Sequence, residues 1–272
     1  MFNMVKALEL TLNNGVCMLT GRQLGLKLGD LTTFPCYEAL EQAYERQLDY
    51  LIRQMEQGLK VIEAAHRECL PSPMLSSVVD DCLERGVDVT AGGAVYNTSG
   101  IQLIQVANVA DSLAALKQLV FDQKVLDAAS ILDNLHRDFP DEKLRLTLLN
   151  HAAKYGNDVV WVDQIGEKWV EYIKAQLDQY RNFRGGPYTV GLYTVSAHVP
   201  MGENVAATPD GRRSREPLAD GGLSAVYGRD QTGPTALLKS VSRIRSENAA
   251  NGTLLNMKFA PELFRTQEGI EK

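Results

Sequence analysis

The sequence lacks the features that mark membrane-spanning and secreted proteins. It has no uninterrupted run of about 18 apolar residues, which is the length that a membrane-spanning helix needs. Its first residues, Met1 to Lys6, do not follow the basic-then-apolar order of a signal peptide. These two absences predict a cytoplasmic protein with no membrane partner.

Cysteine is also scarce, and its spacing is uninformative for metal or redox chemistry. The four cysteines are Cys17, Cys36, Cys69 and Cys82, and no two of them form a Cys-x-x-Cys pair. Such pairs hold structural zinc or carry out dithiol chemistry, so neither property is predicted. Isolated thiols of this kind are typical of buried or incidental cysteines in a reducing compartment.

The four histidines do not predict a metal site either. His66, His136 and His151 lie in predicted helices, with no cysteine or acidic residue at the spacing of a recognised metal pattern. His198 follows a predicted strand, where an imidazole is able to transfer a proton, but a structural role is the more frequent outcome for such a residue.

The chain carries no excess of positive charge. It has 28 basic and 34 acidic residues, a formal net charge of -6 and a pI near 5.3. Nucleic-acid partners usually demand a basic stripe, so none is predicted. With 272 residues, 44% hydrophobic and 23% charged, the composition is that of a globular protein with one large core or two modest ones. A small-molecule enzyme fits these features best.

Several helices are predicted from apolar periodicity. They include a helix over 2–12 that ends at Asn13 to Gly15, a short one over 74–83, one over 112–124 capped by Asp111, and one over 161–181. A long helix follows Pro35 and has an apolar stripe at three- and four-residue steps. The stripe consists of Leu40, Tyr44, Leu48, Leu51, Met55, Leu59 and Ile62.

Two strands are predicted among these helices. Residues 188–199 are rich in Tyr, Val and Thr without helical period and precede a turn at 200–202, while 254–259 form the second candidate and 261–272 a final helix. Alternating helices and strands predict an α/β barrel or a layered sheet, in which ligands collect near the strand ends.

A cluster of three arginines, Arg212, Arg213 and Arg215, attracts anions in principle. Four acidic residues surround it, so an internal ion-pair network that holds a loop is the stronger interpretation. These residues are Glu203, Asp210, Glu216 and Asp220.

Three ordered segments carry a resemblance to a known family. Residues 92–100 read GGAVYNTSG, residues 207–224 read ATPDGRRSREPLADGGLS, and residues 251–259 read NGTLLNMKF. Together they resemble the glycyl radical enzymes of the pyruvate formate-lyase-like group. The Gly-Gly-Ala-x-Tyr-Asn pattern is more similar to the glycerol dehydratase and choline-lyase branch than to authentic pyruvate formate-lyase, or formate acetyltransferase.

The resemblance implies a fold and a position within it. These enzymes enclose their active site in a ten-stranded barrel of two half-barrels, and residues 1–272 would form a partial domain supplying roughly the second half-barrel with surrounding helices. The family's catalytic Cys, in a Cys-x-Glu loop, would precede Phe2, and its radical-bearing Gly would follow Lys272. On this placement the chain contributes no catalytic residue and is inactive alone.

The resemblance also implies the chemistry. In the family, a glycyl radical converts the catalytic Cys to a thiyl that takes a hydrogen atom from the substrate, and cleavage of a C–O, C–N or C–C bond follows. No cofactor is expected to be bound. The radical is installed by a separate iron-sulfur, S-adenosylmethionine-dependent activating enzyme under anaerobic conditions. Expected partners are therefore that enzyme, a small polar substrate and, at full length, a second copy.

Three residues are predicted to line the substrate cavity. Tyr193 lies in the predicted strand 188–199, where its phenol can hold a substrate hydroxyl and its ring can exclude water. Val195, two residues on, would face the same side of a strand. Phe2 would lie at the cavity wall, next to the segment that follows the catalytic Cys.

Two other interpretations remain open at this stage. The first alternative is a non-catalytic remnant that acts as a binding partner. The second is one subunit of a split enzyme whose other segments are encoded separately.

Overall fold

The computed structural model describes residues 1–259 together with 261, 265 and 267. The helix predicted over 261–272 falls largely outside the described residues. In order along the chain the elements are β1 (Phe2–Asn3), α1 (Met4–Leu12), α2 (Tyr37–Cys69), α3 (Pro73–Ser76), α4 (Cys82–Arg85), β2 (Ser99–Ile104), α5 (Val106–Ala115), a π-helix (Leu116–Asp122), α6 (Ala128–His136), α7 (Glu142–His151), α8 (Val160–Leu177), β3 (Tyr188–Gly191), α9 (His198–Glu203) and α10 (Pro234–Arg243). Short 3-10 turns lie at Leu31–Thr33, Val89–Ala91 and Ser246–Asn248.

Three parallel strands form the sheet, in the order β1-β2-β3. Phe2 is opposite Leu103 between β1 and β2, and Gln102 is opposite Gly191 between β2 and β3. A parallel bridge joins Leu192 to Thr253 and extends the pairing beyond β3. The strand predicted over 254–259 is wrong, because the bridge involves Thr253, one residue before it, and residues 254–259 form no strand.

Helices cover one face of the sheet. α1 packs on β2 and α2, while α8 packs on β3 and α5. The core between these layers is rich in fully buried apolar side chains, including Met4, Leu103 and Trp169. The ring of Tyr44 on α2 meets that of Trp169 on α8 edge to face at 4.5 Å between centroids, which fixes the two helices against each other.

The helical predictions hold in part. α1 begins where the Asn3 side chain accepts a hydrogen bond from the Lys6 backbone, and it ends at Asn13 as expected. The stripe of α2 is buried from Leu40 to Leu48, but Ile62 is 52% exposed because the helix extends beyond the core. The single helix predicted over 74–83 is wrong: α3 and α4 are separate short helices, and Asp81 between them has a left-handed backbone.

The prediction that Asp111 caps a helix is wrong. α5 starts at Val106, directly after β2, so Asp111 lies more than one turn inside it and is fully buried. The prediction failed because a polar residue before an apolar stretch looks like an N-cap whether the helix begins there or five residues earlier.

The strand predicted over 188–199 is also too long. β3 ends at Gly191, and the backbone takes a left-handed turn at Val195, with φ 52°, before α9 starts at His198. The predicted turn at 200–202 is part of α9. Among the described residues, no helix is both long and apolar enough to cross a membrane.

Candidate functional site

The carboxyl ends of the three strands meet at one edge of the sheet, since all strands run in the same direction. Asn3, Ile104 and Gly191 are the last residues of the strands. In sheets of this kind, ligands bind outside the carboxyl ends, where backbone groups and the following loops are free to contact them. This carboxyl edge is the candidate site.

The sheet face opposite the helices is small and polar. Gly100 and Gln102 on β2 share it with Thr189 and Gly191 on β3, because these positions alternate with the apolar Ile101, Leu103 and Val190 that pack in the core. The Asn251 side chain lies over Gly100 and accepts a hydrogen bond from Thr189 Oγ1 at 3.3 Å. Larger barrels enclose ligand cavities, and a polar face of this kind is suited to line one.

Tyr193 lies at this edge, two residues after β3. A Cβ atom added at Gly191 would be 2.6 Å from Tyr193 Cε1, so the phenol ring covers the place where a side chain would stand. Gln102 is the strand partner of Gly191, which puts an amide on the same face next to this position. The glycine is therefore required for the ring to fold back over the sheet.

The structure separates Val195 from Tyr193. Val195 has a left-handed backbone and is 71% exposed, so the two residues do not project from one strand as predicted. The physical reason is the early end of β3, after which the chain leaves the sheet. Phe2 is 6% exposed and belongs to the apolar core together with its strand partner Leu103, so it lies behind the edge rather than on the polar face.

The segment between β3 and α9 closes the edge. Asn3 Nδ2 donates a hydrogen bond to the Met201 carbonyl at 3.2 Å, so α9 passes over the end of β1. His198 begins α9, and its Nδ1 atom is buried without a hydrogen-bond partner among the described residues. This imidazole also lies on the wall of a cavity of about 910 Å³ between α7 and residues 211–232.

The signature segment 207–224 is held in place by a buried charged cluster. Asp210 is fully buried and accepts hydrogen bonds from Thr208 Oγ1 at 2.5 Å, Asn108 Nδ2 at 2.8 Å and Arg229 Nη1 at 3.0 Å. Burial alone would raise the pKa of Asp210, but Arg229 and these hydrogen bonds outweigh it and lower the pKa below the ordinary value. Asp210 is therefore a stably charged anchor.

Asp111 is the second carboxylate of the cluster and behaves differently. Its Oδ1 atom accepts the backbone N–H of Tyr155 at 2.7 Å, while its Oδ2 atom lies 3.5 Å from Arg229. Burial raises the pKa of Asp111 to about 6, against the opposing effect of Arg229 and Lys154. Burial likewise lowers the pKa of Lys154 to about 8. Arg229 thus interacts with two buried carboxylates, and only at Asp210 do the favourable interactions outweigh the cost of burying the charge.

The arginines of the signature segment are partnered differently from the prediction. Arg212 donates its guanidinium to the carbonyls of Gly202, Ala206 and Glu216, which ties the loop to the end of α9. Arg213 pairs with Glu142 on α7 at 2.7 Å. Asp220 accepts a hydrogen bond from Asn256 instead of an arginine. The loop is held, but mainly by backbone carbonyls and by α7.

The segment 92–100 is also structural. A Cβ atom at Gly93 would be 1.9 Å from the Val87 carbonyl oxygen, so only glycine fits there. Asn182 donates to the Asn97 carbonyl at 2.5 Å and to Ser99 Oγ at 2.9 Å. These bonds fix the entry of β2 beside β3.

The sequence prediction missed the residues that support the signature segment from α5, namely Asn108, which donates to Asp210, and Asp111, which lies in the field of Arg229 and Lys154. A signal was present: Asn108 and Asp111 are three residues apart within 106–116, a stretch that is apolar apart from these two residues and Ser112. Polar residues on one face of such a helix indicate a buried hydrogen-bonded partner.

A literal Cys-x-Glu tripeptide occurs at Cys36-Tyr37-Glu38, outside the position expected for the family loop. Cys36 is exposed at the start of α2, where the Tyr37 ring packs against Phe121 near the end of the π-helix. α5 and the π-helix run from β2 to that point over about 15 residues, so Cys36 lies roughly 20 Å from the carboxyl edge. The tripeptide is therefore not part of the candidate site. No group of residues suited to hold a metal occurs in the described part of the chain.

Comparison with known proteins identifies the family. The pyruvate formate lyase-like family model matches residues 1–202, and the glycine radical model matches residues 219–272. The chain belongs to the pyruvate formate lyase-like family. The resemblance drawn from the three ordered segments is thus confirmed, and the family is one of enzymes.

Relatives of this pyruvate formate lyase-like chain act on small polar molecules. It is 37% identical to trans-4-hydroxy-L-proline dehydratase of Clostridioides difficile, covering 99% of this chain and 34% of the relative. It is 35% identical to (2S)-3-sulfopropanediol dehydratase of Klebsiella oxytoca, covering 98% and 33% respectively. Each relative is about three times as long as the part it shares with this chain.

Solved structures support the assignment to this family. The glycerol-bound B12-independent glycerol dehydratase of Clostridium butyricum matches with a TM-score of 0.92 and 38% identity, over 99% of this chain and 34% of that one. The hydroxyproline dehydratase of Clostridioides difficile with bound substrate matches with a TM-score of 0.93 and 36% identity, over 98% and 34%. The pyruvate formate lyase-like chain therefore has the α/β architecture of these enzymes over the region compared.

The buried pair of carboxylates gives a pH-dependent prediction. The folded-state pKa of Asp111, about 6, is above its ordinary value of 3.8, so the folded state binds this proton more tightly. As the pH rises from below 4 to above 6, the contribution of Asp111 to the free energy of unfolding should therefore fall by about 3 kcal/mol in total, of which about 2 kcal/mol falls between pH 4 and pH 6. We expect Asp111→Asn to remove this fall, which urea denaturation of both proteins across that range will measure.

Asp210→Asn is the matched control for this measurement. Because the pKa of Asp210 is lowered on folding, its contribution is present above its ordinary pKa and is lost only in more acidic solution. At pH 7 we expect Asp210→Asn to destabilise the protein and Asp111→Asn to leave it unchanged or more stable. Equal losses for the two variants would contradict the assignment.

Proposed function

We propose that this chain forms about a third of a glycyl radical enzyme that eliminates water or another leaving group from a small polar substrate. The observation that carries the proposal is the carboxyl edge, where Tyr193 covers Gly191 on the polar face of a parallel sheet. The relatives named above, all of them dehydratases of hydroxylated molecules, support the same reaction class. The proposal also includes enzymes that cleave a C–N or a C–C bond.

The proposed architecture follows from the sheet. β1, β2, β3 and the bridge at Thr253 are parallel, and Gly100, Gln102 and Thr189 on their polar face remain at least partly exposed. We infer that this sheet is the second half of a ten-stranded barrel and that the polar face is its interior. The full-length protein would be a homodimer, like the enzyme predicted from the resemblance.

The residues of this chain bind and orient the substrate. The Tyr193 phenol accepts or donates a hydrogen bond to a substrate hydroxyl, and the Gln102 amide offers both a donor and an acceptor beside it. Val195 contributes from the exposed loop, and Phe2 supports the wall from the core side. When installed by an S-adenosylmethionine-dependent iron-sulfur activating enzyme, a glycyl radical supplies the hydrogen-atom chemistry.

One consequence concerns the chain by itself. After anaerobic treatment with an activating enzyme, we expect the purified chain to show no glycyl radical doublet in electron paramagnetic resonance. The reason is that neither the catalytic Cys loop nor the radical glycine motif is placed within it by the resemblance. A clear doublet would overturn this part of the proposal, and a doublet that requires a second polypeptide would favour the split-enzyme alternative.

The role of Tyr193 is tested in the active enzyme that contains this segment. We expect Tyr193→Phe to lower kcat/KM by about 10- to 100-fold or to change the substrate preference, because a hydrogen bond to a buried substrate hydroxyl is lost. Tyr180→Phe is the matched control, since Tyr180 follows α8 outside the carboxyl edge. Unchanged kinetics of Tyr193→Phe would remove this residue from the site.

A further inference from the structure

A lysine, a glutamate and a cysteine, none of them assigned to the substrate, meet at the first helix. Lys6 Nζ lies 2.7 Å from Glu9 Oε1 and donates a hydrogen bond to Cys17 Sγ at 3.0 Å. The Glu9 side chain is 1% exposed and Cys17 is 3% exposed, whereas the Lys6 side chain is 18% exposed. The sulfur and the nitrogen are thus in direct contact just below the surface.

The local fold holds these three groups in register. Lys6 and Glu9 are three residues apart on α1 and so project from one side of the helix. Cys17 belongs to a tight turn in which its carbonyl accepts the backbone N–H of Thr20 and of Gly21. Glu9 Oε1 also accepts the Met18 N–H at 2.9 Å, which brings this turn onto α1. The contact between Lys6 and Cys17 is therefore fixed from both sides.

Glu9 also connects this cluster to the residue that precedes the signature segment. Glu9 Oε2 accepts the Ala206 N–H at 2.9 Å, so one carboxylate joins α1, the turn at Cys17 and the residue directly before the signature segment. Burial opposes the ionisation of Cys17, but hydrogen bonds from Thr20 and Lys6 prevail and lower the pKa of the thiol. A thiolate is the form of cysteine that oxidants attack.

We propose that Cys17 and Lys6 are a site of oxidative crosslinking, in which one oxygen atom joins Cys17 Sγ to Lys6 Nζ in an N–O–S bridge. The oxidant is dioxygen. One of its oxygen atoms enters the bridge and the other leaves as water, which takes the thiol proton and one amine proton. Sulfur and nitrogen each lose two electrons, and the four electrons reduce the dioxygen molecule. Glu9 is placed to accept a proton from the Lys6 ammonium, which leaves a free amine for bond formation.

The bridge is reversible by a thiol reductant. Four thiol equivalents convert it to the original cysteine and lysine with release of one water and two disulfides. While it is present, the turn at Cys17 is covalently fixed to α1, and the Lys6 charge that faces Glu9 is lost. This site is independent of the proposed catalytic function, and its test needs only the chain itself.

The protein offers its own controls. Cys82 is the other buried cysteine, but none of the hydrogen bonds in the described part of the chain joins it to a lysine. Cys36 and Cys69 are exposed. Ordinary oxidation would reach the exposed thiols first, whereas the bridge requires the Lys6 neighbour. The position of modification therefore separates the two chemistries.

Trypsin digestion after exposure to dioxygen is the deciding experiment. Unmodified protein is cut after Lys6 and after Arg22, giving residues 1–6 and 7–22. We expect the bridged protein to resist cleavage at Lys6 and to yield a peptide of residues 1–22 that is about 14 Da heavier than the uncut sequence. Dithiothreitol should restore both cleavage and mass. Methionine sulfoxide adds about 16 Da instead and leaves the Lys6 bond cleavable.

Two variants complete the test. Lys6→Arg keeps a cation beside Glu9 and Cys17→Ser keeps a small polar side chain, and neither should form the heavier peptide. Protein kept under anaerobic conditions should not form it either. If wild-type Cys17 is recovered as a free thiol, a disulfide or a sulfinic acid while Lys6 remains cleavable, the proposal is wrong.

Discussion

Replacing Arg229 with methionine is expected to lower the free energy of unfolding by about 3–5 kcal/mol, because two buried carboxylates lose their shared partner. Asp210 and Asp111 are both fully buried, and Arg229 Nη1 lies 3.0 Å and 3.5 Å from them. A loss of this size is a large share of the stability of an ordinary domain. The midpoint of urea denaturation at pH 7 will measure it.

The matched control is an exposed arginine with two ion pairs. Arg245 is 59% exposed and lies 3.0 Å from both Glu167 and Glu171. Because water screens such pairs, we expect Arg245→Met to cost less than about 1 kcal/mol. If the two variants lose the same stability, the buried cluster does not anchor the signature segment.

A double variant separates the two carboxylates. With Asp111→Asn in place, Arg229→Met leaves only Asp210 without its arginine, so part of the loss should be recovered. With Asp210→Asn in place, the remaining carboxylate is Asp111, whose pKa burial already raises and the loss of Arg229 raises further, so that it takes up a proton at modest cost. We therefore expect Asp210→Asn to recover more of the loss than Asp111→Asn.

The elements that the sequence predicted best are those whose periodicity and caps act locally. α1, the first half of α2 and α8 follow from apolar spacing, which the core then reinforces with side chains such as Leu48 and Trp169. Whether these segments form helices is determined by residues within each segment. Their prediction therefore required no knowledge of the segments that pack against them.

Strand length and helix starts failed because tertiary contacts decide them. Residues 188–199 have strand composition throughout, but β3 ends at Gly191 and the chain leaves the sheet there. Ten residues later, the Met201 carbonyl accepts a hydrogen bond from the Asn3 side chain. Asp111 had the appearance of a cap, but its partners Tyr155 and Arg229 are 44 and more residues away along the chain. Contacts between residues so far apart along the chain produce no pattern in the local sequence from which they could be predicted.

The candidate site was predictable only through resemblance. Tyr193 was singled out because its segment resembles a known family strand, and the structure places it at the carboxyl edge. Gln102 was missed, because its place on the polar face depends on the register of β2 against β3. Val195 shows the opposite error: the alternation argument holds only where a strand continues.

Gly222→Ala is expected to displace the backbone at Tyr193 and to destabilise the protein by roughly 3 kcal/mol through overpacking. A Cβ atom on Gly222 would lie 1.9 Å from the Leu192 carbonyl oxygen and 2.5 Å from the Tyr193 nitrogen. Both are backbone atoms, so no side-chain rotation relieves the contact. Gly222 and Leu223 also donate their N–H groups to the Leu254 carbonyl at 3.0 Å, which holds the signature segment in place from the other side.

Gly58→Ala is the control with the opposite sign. Gly58 lies exposed in the middle of α2, and a Cβ atom there would have nothing within 4 Å. Alanine should therefore stabilise the helix by about 0.5–1 kcal/mol relative to glycine. The same substitution thus tests close approach at one position and helix propensity at the other.

Amide hydrogen exchange locates the effect of Gly222→Ala within the molecule. Leu192 N–H is bonded to the Gly252 carbonyl, and Leu254 N–H to the Leu192 carbonyl, each at 2.9 Å. If the added methyl group displaces residues 192–193, these two amides should exchange faster while those of α2 are unchanged. Unaltered exchange at both amides, with stability equal to that of Gly58→Ala, would mean that the signature glycine does not position Tyr193. Faster exchange confined to them would show that the signature segment sets the geometry of the carboxyl edge.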